Sequence, residues 1–185
     1  MTVPLTLNET LRETHFVPHN KLVVYIATSE FDAVWRRDEK GKIVQFMDNL
    51  PQCREDCSTL RFVMKRYQIT DTGPDHKYNM DNNPTKSEYR DAMKDISKRA
   101  RDHPDENFLV FYIIAGHGMV FNGKTILILN EFDPSESFYK YAEIEQQIRR
   151  LAYYHPNMYQ VGFFACCREI LNRNLHSGGF SAQRA

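Results

Sequence analysis

A chain of 185 residues, 42% hydrophobic and 26% charged, is long and apolar enough for one α/β domain with a real core. Its 24 basic and 24 acidic side chains cancel, so no long-range field favours nucleic acid or an anionic membrane as a partner. The longest apolar run, Phe108 to Ala115, is less than half of the roughly 20 residues a bilayer span requires, and Met1 to Pro18 has no signal-peptide core, so a cytoplasmic or nuclear location is expected.

Residues 1–20 read as an N-terminal extension, 21–176 as the domain and 177–185 as a flexible tail around Ser177-Gly178-Gly179. The first element, Lys21 to Thr28, is a continuous apolar run and predicts a strand buried on both faces. Arg36, Arg37, Asp38, Glu39, Lys40 and Gly41 read as a surface loop. From Cys53 to Tyr67, Cys53, Cys57, Leu60, Val63 or Met64, and Tyr67 recur at helical spacing and predict a helix. A short second strand is expected at Gln68 to Thr72, followed by a Gly-, Pro-, Asp- and Asn-rich loop over 73–85. Thr85-Lys86-Ser87-Glu88 is a capping box opening a helix to about Arg101, with Tyr89, Met93, Ile96 and Ala100 inward. Phe108 to Ala115 is the strongest strand. Asn122-Gly123 marks a hairpin turn into a strand at Thr125 to Leu129. A helix over Tyr141 to Tyr154 presents Ile144, Ile148 and Leu151, and Tyr159 to Ala165 is the last long strand.

Strands alternating with helices imply a largely parallel sheet, and in such sheets chemistry collects at the carboxyl ends of the strands. Two of those ends carry reactive groups: Gly116-His117-Gly118 and Cys166-Cys167. Glycines flanking a histidine admit unusual backbone angles and leave the imidazole accessible; the same pattern is compatible with a turn histidine of no chemical role. Cys167, followed by Arg168 and expected to open a helix, would have its thiolate favoured by the guanidinium and the helix N-terminus. A free cysteine is also a common buried small hydrophobe, and Cys166 suits that role better. Together the two ends would give a thiolate–imidazolium dyad, in which His117 positions or deprotonates Cys167 and protonates the leaving amine. The amide N–H groups of Gly118 and Cys167 would hold the developing oxyanion.

The chain has four cysteines. Without Cys-x2-Cys spacing, a zinc site built on Cys53, Cys57, Cys166 and Cys167 is disfavoured, and adjacent cysteines seldom form a relaxed disulfide. Asp71, Asp75 and Asp81 share one loop and read as a solvated face rather than a calcium site. The dyad chemistry needs no metal or cofactor.

Ile113 to Gly118 resembles the histidine motif of caspases, metacaspases and paracaspases, and Val161 to Arg168 resembles their nucleophile strand. Leu22 to Phe31 is similar to the family's first strand and aromatic turn, and Asp56 to Leu60 to the Asp-containing start of its first helix. The resemblance covers roughly residues 20 to 175 and is nearest to the metacaspase and paracaspase branches. It implies an α/β caspase–hemoglobinase-like sandwich, with a mostly parallel central sheet flanked by helices, and endopeptidase activity with Cys167 as nucleophile and His117 as base. It also implies that Asp56 and the position of Ala165 lie at the substrate pocket, which in metacaspases and paracaspases is acidic and selects Arg or Lys; Asp56 is equally compatible with a helix N-terminal carboxylate that satisfies free amides.

The chain departs from that pattern in two places. Ala165 stands where the family has Asp or Gln, and Leu50 stands about where caspases carry an Arg, so aspartate specificity is not implied. The chain also ends soon after Cys167, without the small-subunit strands. The Tyr159–Cys166 strand would then be an apolar sheet edge, which predicts a covering partner: a small-subunit chain, a second copy or a larger complex. Two readings result: an active cysteine endopeptidase acting on peptide or protein substrates, or an inactive caspase-like module serving as a scaffold. A redox or metal module on Cys166-Cys167 is a distant third.

Overall fold

The computed structural model describes residues 18–31, 35–37, 40, 42–45, 48–121, 124–129, 141–166, 169–171 and 182–183. Strand β1 (Asn20–Ala27) is the centre of the fold, and every residue from Leu22 to Ala27 is buried. Two short strands, β2 (Trp35–Arg37) and β3 (Ile43–Gln45), then pair antiparallel. Arg36 and Arg37, expected in a loop, are thus in a strand, while Lys40 lies in a turn: three residues per strand are too few to show a period-2 pattern among so many charges.

Helix α1 (Gln52–Arg66) comes next, with Cys53, Cys57 and Met64 buried. The expected strand at 68–72 is reduced to a single bridge between Asp71 and Leu22. The pairing strand is β4 (Asn79–Met80), inside the stretch read as a loop. A 3-10 turn at Pro74–His76 and left-handed angles at Gln68, Asp75 and His76 use the intervening residues to bring the chain back to the sheet.

Helix α2 (Lys86–Asp102) begins at the expected capping box: Glu88 N–H donates to Thr85 Oγ1, and Thr85 N–H donates to Glu88 Oε2 at 2.7 Å. Tyr89, Met93, Ile96 and Ala100 are buried as their spacing requires. Strand β5 (Phe108–Gly116) leads into β6 (Gly118–Phe121), which pairs antiparallel with β7 (Lys124–Ile128) in a register that sets Phe121 opposite Lys124; the turn expected at Asn122-Gly123 lies outside the described residues. Strand β8 (Tyr141–Ala142) precedes helix α3 (Ile144–Tyr154), so the helix starts three residues later than its periodicity suggested. Strand β9 (Met158–Cys166) is the last long element. It is succeeded by β10 (Glu169–Leu171) and by β11 (Ala182–Gln183), which lies in the segment read as a tail.

The central sheet is all parallel, in the order β4-β1-β5-β9, as the alternation of elements predicted, and is flanked by helices in the α/β arrangement that the resemblance implied. Leu22, Val24 and Ile26 pack with Tyr89, Met93 and Ile96 of α2 and with Ile144 and Leu151 of α3. Val23, Tyr25 and Ala27 face the other way, toward Cys53, Cys57 and Met64 of α1. Each fully buried aliphatic side chain contributes about 1.5–3 kcal/mol. A second sheet, in the order β11-β10-β6-β7-β8, stands at the carboxyl end of the first. Among the described residues no helix is long and apolar enough to cross a membrane.

Candidate active site at the strand ends

The register of the central sheet brings the two motifs together. Ala115 pairs with Ala165 and Gly116 with Cys166 on adjacent parallel strands. His117 and Cys167 are the residues that follow these strands in the sequence. Cys167 itself, with Arg168, lies outside the described residues. The helix expected to open at Cys167 is corrected to a strand, since Glu169–Leu171 pairs parallel to β6. With Glu169–Leu171 in a strand, no helix is there to supply the dipole invoked for a Cys167 thiolate.

Gly116 adopts φ +150°, an angle that side-chain-bearing residues rarely take, and a Cβ there would lie 3.3 Å from the Thr28 carbonyl. This glycine ends β5 and turns the chain so that His117 leaves the sheet. The imidazole is held on two sides. His117 Nε2 lies 2.9 Å from the Asp48 carbonyl oxygen. A carbonyl only accepts, so this contact requires the proton on Nε2; in the neutral ring Nδ1 then carries the lone pair. The ring of Phe31, fully buried, meets the His117 ring edge-on at 4.7 Å.

Gly118 is buried at the start of β6. The Ile128 N–H donates to the His117 carbonyl. In an antiparallel ladder hydrogen-bonded and non-bonded pairs alternate, so Gly118 and Leu127 form the non-bonded pair. The Gly118 N–H therefore points away from β7, to the side on which β10 pairs.

Asp56 and Ala165 line one cleft of about 210 Å³, together with Cys57, Leu60, Ile113 and Phe163. Asp56 is partly exposed and accepts from Gln52 Nε2 at 3.4 Å. Leu50, by contrast, packs on the core beneath α1. Cys57 is fully buried, its sulfur 3.8 Å from the Ile26 carbonyl, and burial above all pushes its thiol up to about 12. Such a thiol is inert at neutral pH. Of the aspartates in the 71–81 stretch, Asp71 pairs with Arg99 at 2.8 Å and Asp81 with Arg61 at 2.5 Å.

The Asp48 carbonyl contact had no counterpart in the sequence. A backbone oxygen has no side-chain signature, and the segment that presents it reads as an ordinary loop. Phe31 was legible only as an aromatic after a strand, and its contact with a residue 86 positions away was not.

The caspase domain family matches residues 21–184, and the chain belongs to that family. Comparison with curated proteins gave no match.

Proposed function

We propose that this chain is a caspase-type cysteine endopeptidase, with Cys167 as nucleophile and His117 as base. The observation that carries the reading is the pairing of Gly116 with Cys166, combined with the commitment of His117 Nε2 to the Asp48 carbonyl. The first sets the two motifs on neighbouring strand ends. The second leaves Nδ1 as the nitrogen able to take the thiol proton.

In the reaction so proposed, the Cys167 thiolate attacks the scissile carbonyl carbon, and negative charge develops on the carbonyl oxygen. The Gly118 and Cys167 amides donate to that oxygen; donors of this kind are worth about 3 kcal/mol each in the transition state. Imidazolium Nδ1–H protonates the leaving amine as the carbon–nitrogen bond breaks. Water, deprotonated by the same nitrogen, then hydrolyses the thioester and returns the thiol.

Asp56, on the wall of the apolar cleft, supports a preference for Arg or Lys beside the scissile bond. Strand β9 has β5 on one side only among the described residues, and its exposed apolar side chains support a covering small-subunit chain or second copy. Ala165 favours the rival reading, a caspase-fold scaffold without turnover, because it supplies no polar group to a specificity pocket.

The test is labelling by an irreversible peptide electrophile with Arg or Lys next to the warhead, on wild type, Cys167→Ala, Cys166→Ala and His117→Ala. The expected result is labelling abolished by Cys167→Ala, strongly slowed by His117→Ala and retained in Cys166→Ala. No labelling of the wild type, even with a partner chain present, leaves the scaffold reading.

A further inference from the structure

The two groups that touch the His117 ring hang from one short turn, and that turn is wrapped around a single oxygen. Asn83 lies at the far end of β4's connection to α2, just before buried Pro84 and the N-cap Thr85. It holds a left-handed φ of 53°, which asparagine tolerates better than most residues. Its N–H donates to the Ala27 carbonyl at 3.0 Å, which fixes it to the end of β1. Its Oδ1 then accepts three donors from the turn just beyond β1: Ser29 N–H at 2.8 Å, Ser29 Oγ at 3.2 Å and Glu30 N–H at 3.0 Å.

That turn is stitched in its turn to the segment 48–50. The Leu50 N–H donates to the Ser29 carbonyl at 2.7 Å, and the Phe31 N–H donates to Asn49 Oδ1 at 2.7 Å. Asp48, next in the chain, presents its carbonyl to His117 Nε2, and Phe31 presents its ring edge-on to the imidazole. The acceptor of the Nε2 proton and the aromatic wall thus share one anchor.

We infer that Asn83 is a positioning residue for His117: its Oδ1 shapes the turn 29–31, and through it sets the Asp48 carbonyl and the Phe31 ring that orient the imidazole. The inference rests on the proposed function for its consequence, but not for its geometry. A mere structural staple would lower stability when removed and leave the surviving folded molecules with the same imidazole contacts. A positioning role changes those contacts in the folded state.

Two variants separate the roles in the full chain. Asn83→Gly keeps the left-handed backbone and removes the acceptor; Asn83→Asp keeps an acceptor oxygen at the same place. Nitrogen-15 NMR tracks the hydrogen-bonded Nε2 proton of His117, and nuclear Overhauser contacts track the Phe31–His117 ring pair. Labelling of Cys167 by the basic-residue electrophile is resolved into its maximal rate constant and its half-saturating concentration. In Asn83→Gly the protected Nε2 proton and the ring contact are expected to be lost. The maximal rate constant should fall about 10- to 100-fold with half-saturation unchanged, as for a misplaced catalytic group, and Asn83→Asp should restore all three. A folded Asn83→Gly that retains both NMR signals overturns the inference, whatever its melting temperature. If Asn83→Gly does not fold, Asn83→Ala, which also removes the acceptor, is read by the same two signals and by the same criterion. A wild type that is not labelled at Cys167 ends the peptidase reading alone, and the NMR signals still decide the role of Asn83.

Discussion

Strands β1 and β9 are written in nearly the same letters and meet opposite fates. From Leu22 to Ala27, β1 is a run of Leu, Val, Tyr, Ile and Ala, all at most 1% exposed. In β9, Tyr159, Val161, Phe163 and Phe164 are between 38% and 48% exposed. Neighbours make the difference: β1 sits between β4 and β5 with α1 on one face and α2 on the other, whereas β9 is paired only with β5 among the described residues. An apolar run therefore states that a strand is to be covered on both faces; it does not state that this chain supplies the cover.

The sharpest way to break the comparison is to truncate one side chain on each strand. Ile26→Ala should cost about 2–5 kcal/mol in urea unfolding, because a fully buried side chain leaves a cavity among packed neighbours. Phe163→Ala should cost less than about 1 kcal/mol in the isolated chain, since its ring is already half in water. If the two costs are equal, β9 is covered in solution and the edge is not an edge.

The opposite edge of the sheet supplies the next test. There β4 is only two residues long, and the preceding loop is tied down instead by polar contacts: Tyr78 O–H donates to Asp95 at 2.6 Å, and Arg99 bonds Asp71. Gly73 makes this possible with φ 81°, and a Cβ there would meet the Tyr78 ring at 2.6 Å. Gly73→Ala should therefore destabilise by about 1–3 kcal/mol from backbone strain and the displaced ring. A smaller effect, below about 1 kcal/mol, is expected from Gly162→Ala at the β9 edge, where Phe164, the ring such a Cβ would meet, is partly exposed and able to move. Equal melting temperatures for the two variants would remove the contrast between a fastened edge and an open one.

A milder variant, Thr85→Ala, removes one half of the capping box and should cost about 1 kcal/mol in the same assay. This helix start was the most legible point in the sequence, because a capping box is local: acceptor and donor lie three residues apart, and the inward Tyr89, Met93, Ile96 and Ala100 repeat the helical period. The long strands were legible for the same reason. The features that escaped were short or distant. Strands of two or three residues at Trp35, Ile43 and Asn79 are too brief for a period, and the helix expected after Cys167 rested on a single basic residue. At the candidate site His117, Cys167, Gly118, Asp56 and Ala165 could all be named from strand-end position and resemblance. The groups that orient His117 could not, since they are a carbonyl at Asp48, a ring at Phe31 and an amide at Asn83 brought together only by the fold.

The smallest expected effect concerns pH, and it too separates the fastened edge from the rest. Burial alone would raise the Asp71 carboxyl, but the hydrogen bonds from Arg99 and the Gly73 N–H outweigh it and hold the group below its ordinary 3.8. The unfolded chain then binds the proton more readily than the folded one, so the stabilisation is complete above pH 3.8 and is lost as pH falls through the folded value. Both side chains are partly exposed, which limits the pair to less than about 1 kcal/mol. His155, 2.8 Å from Ser97 Oγ, is lowered by burial first and by Arg101 second, so its contribution is present above its ordinary 6.5 and fades as pH falls through its lowered value. Chemical denaturation of wild type and Asp71→Asn across this range should therefore show parallel curves near neutrality, with the variant slightly less stable. The gap should close only on the most acidic limb, where the wild-type carboxylate is protonated. A gap that instead closes as pH falls below 6.5, before the carboxylate range is reached, would assign the loss to a histidine and remove Asp71 from the fastening of the β4 edge.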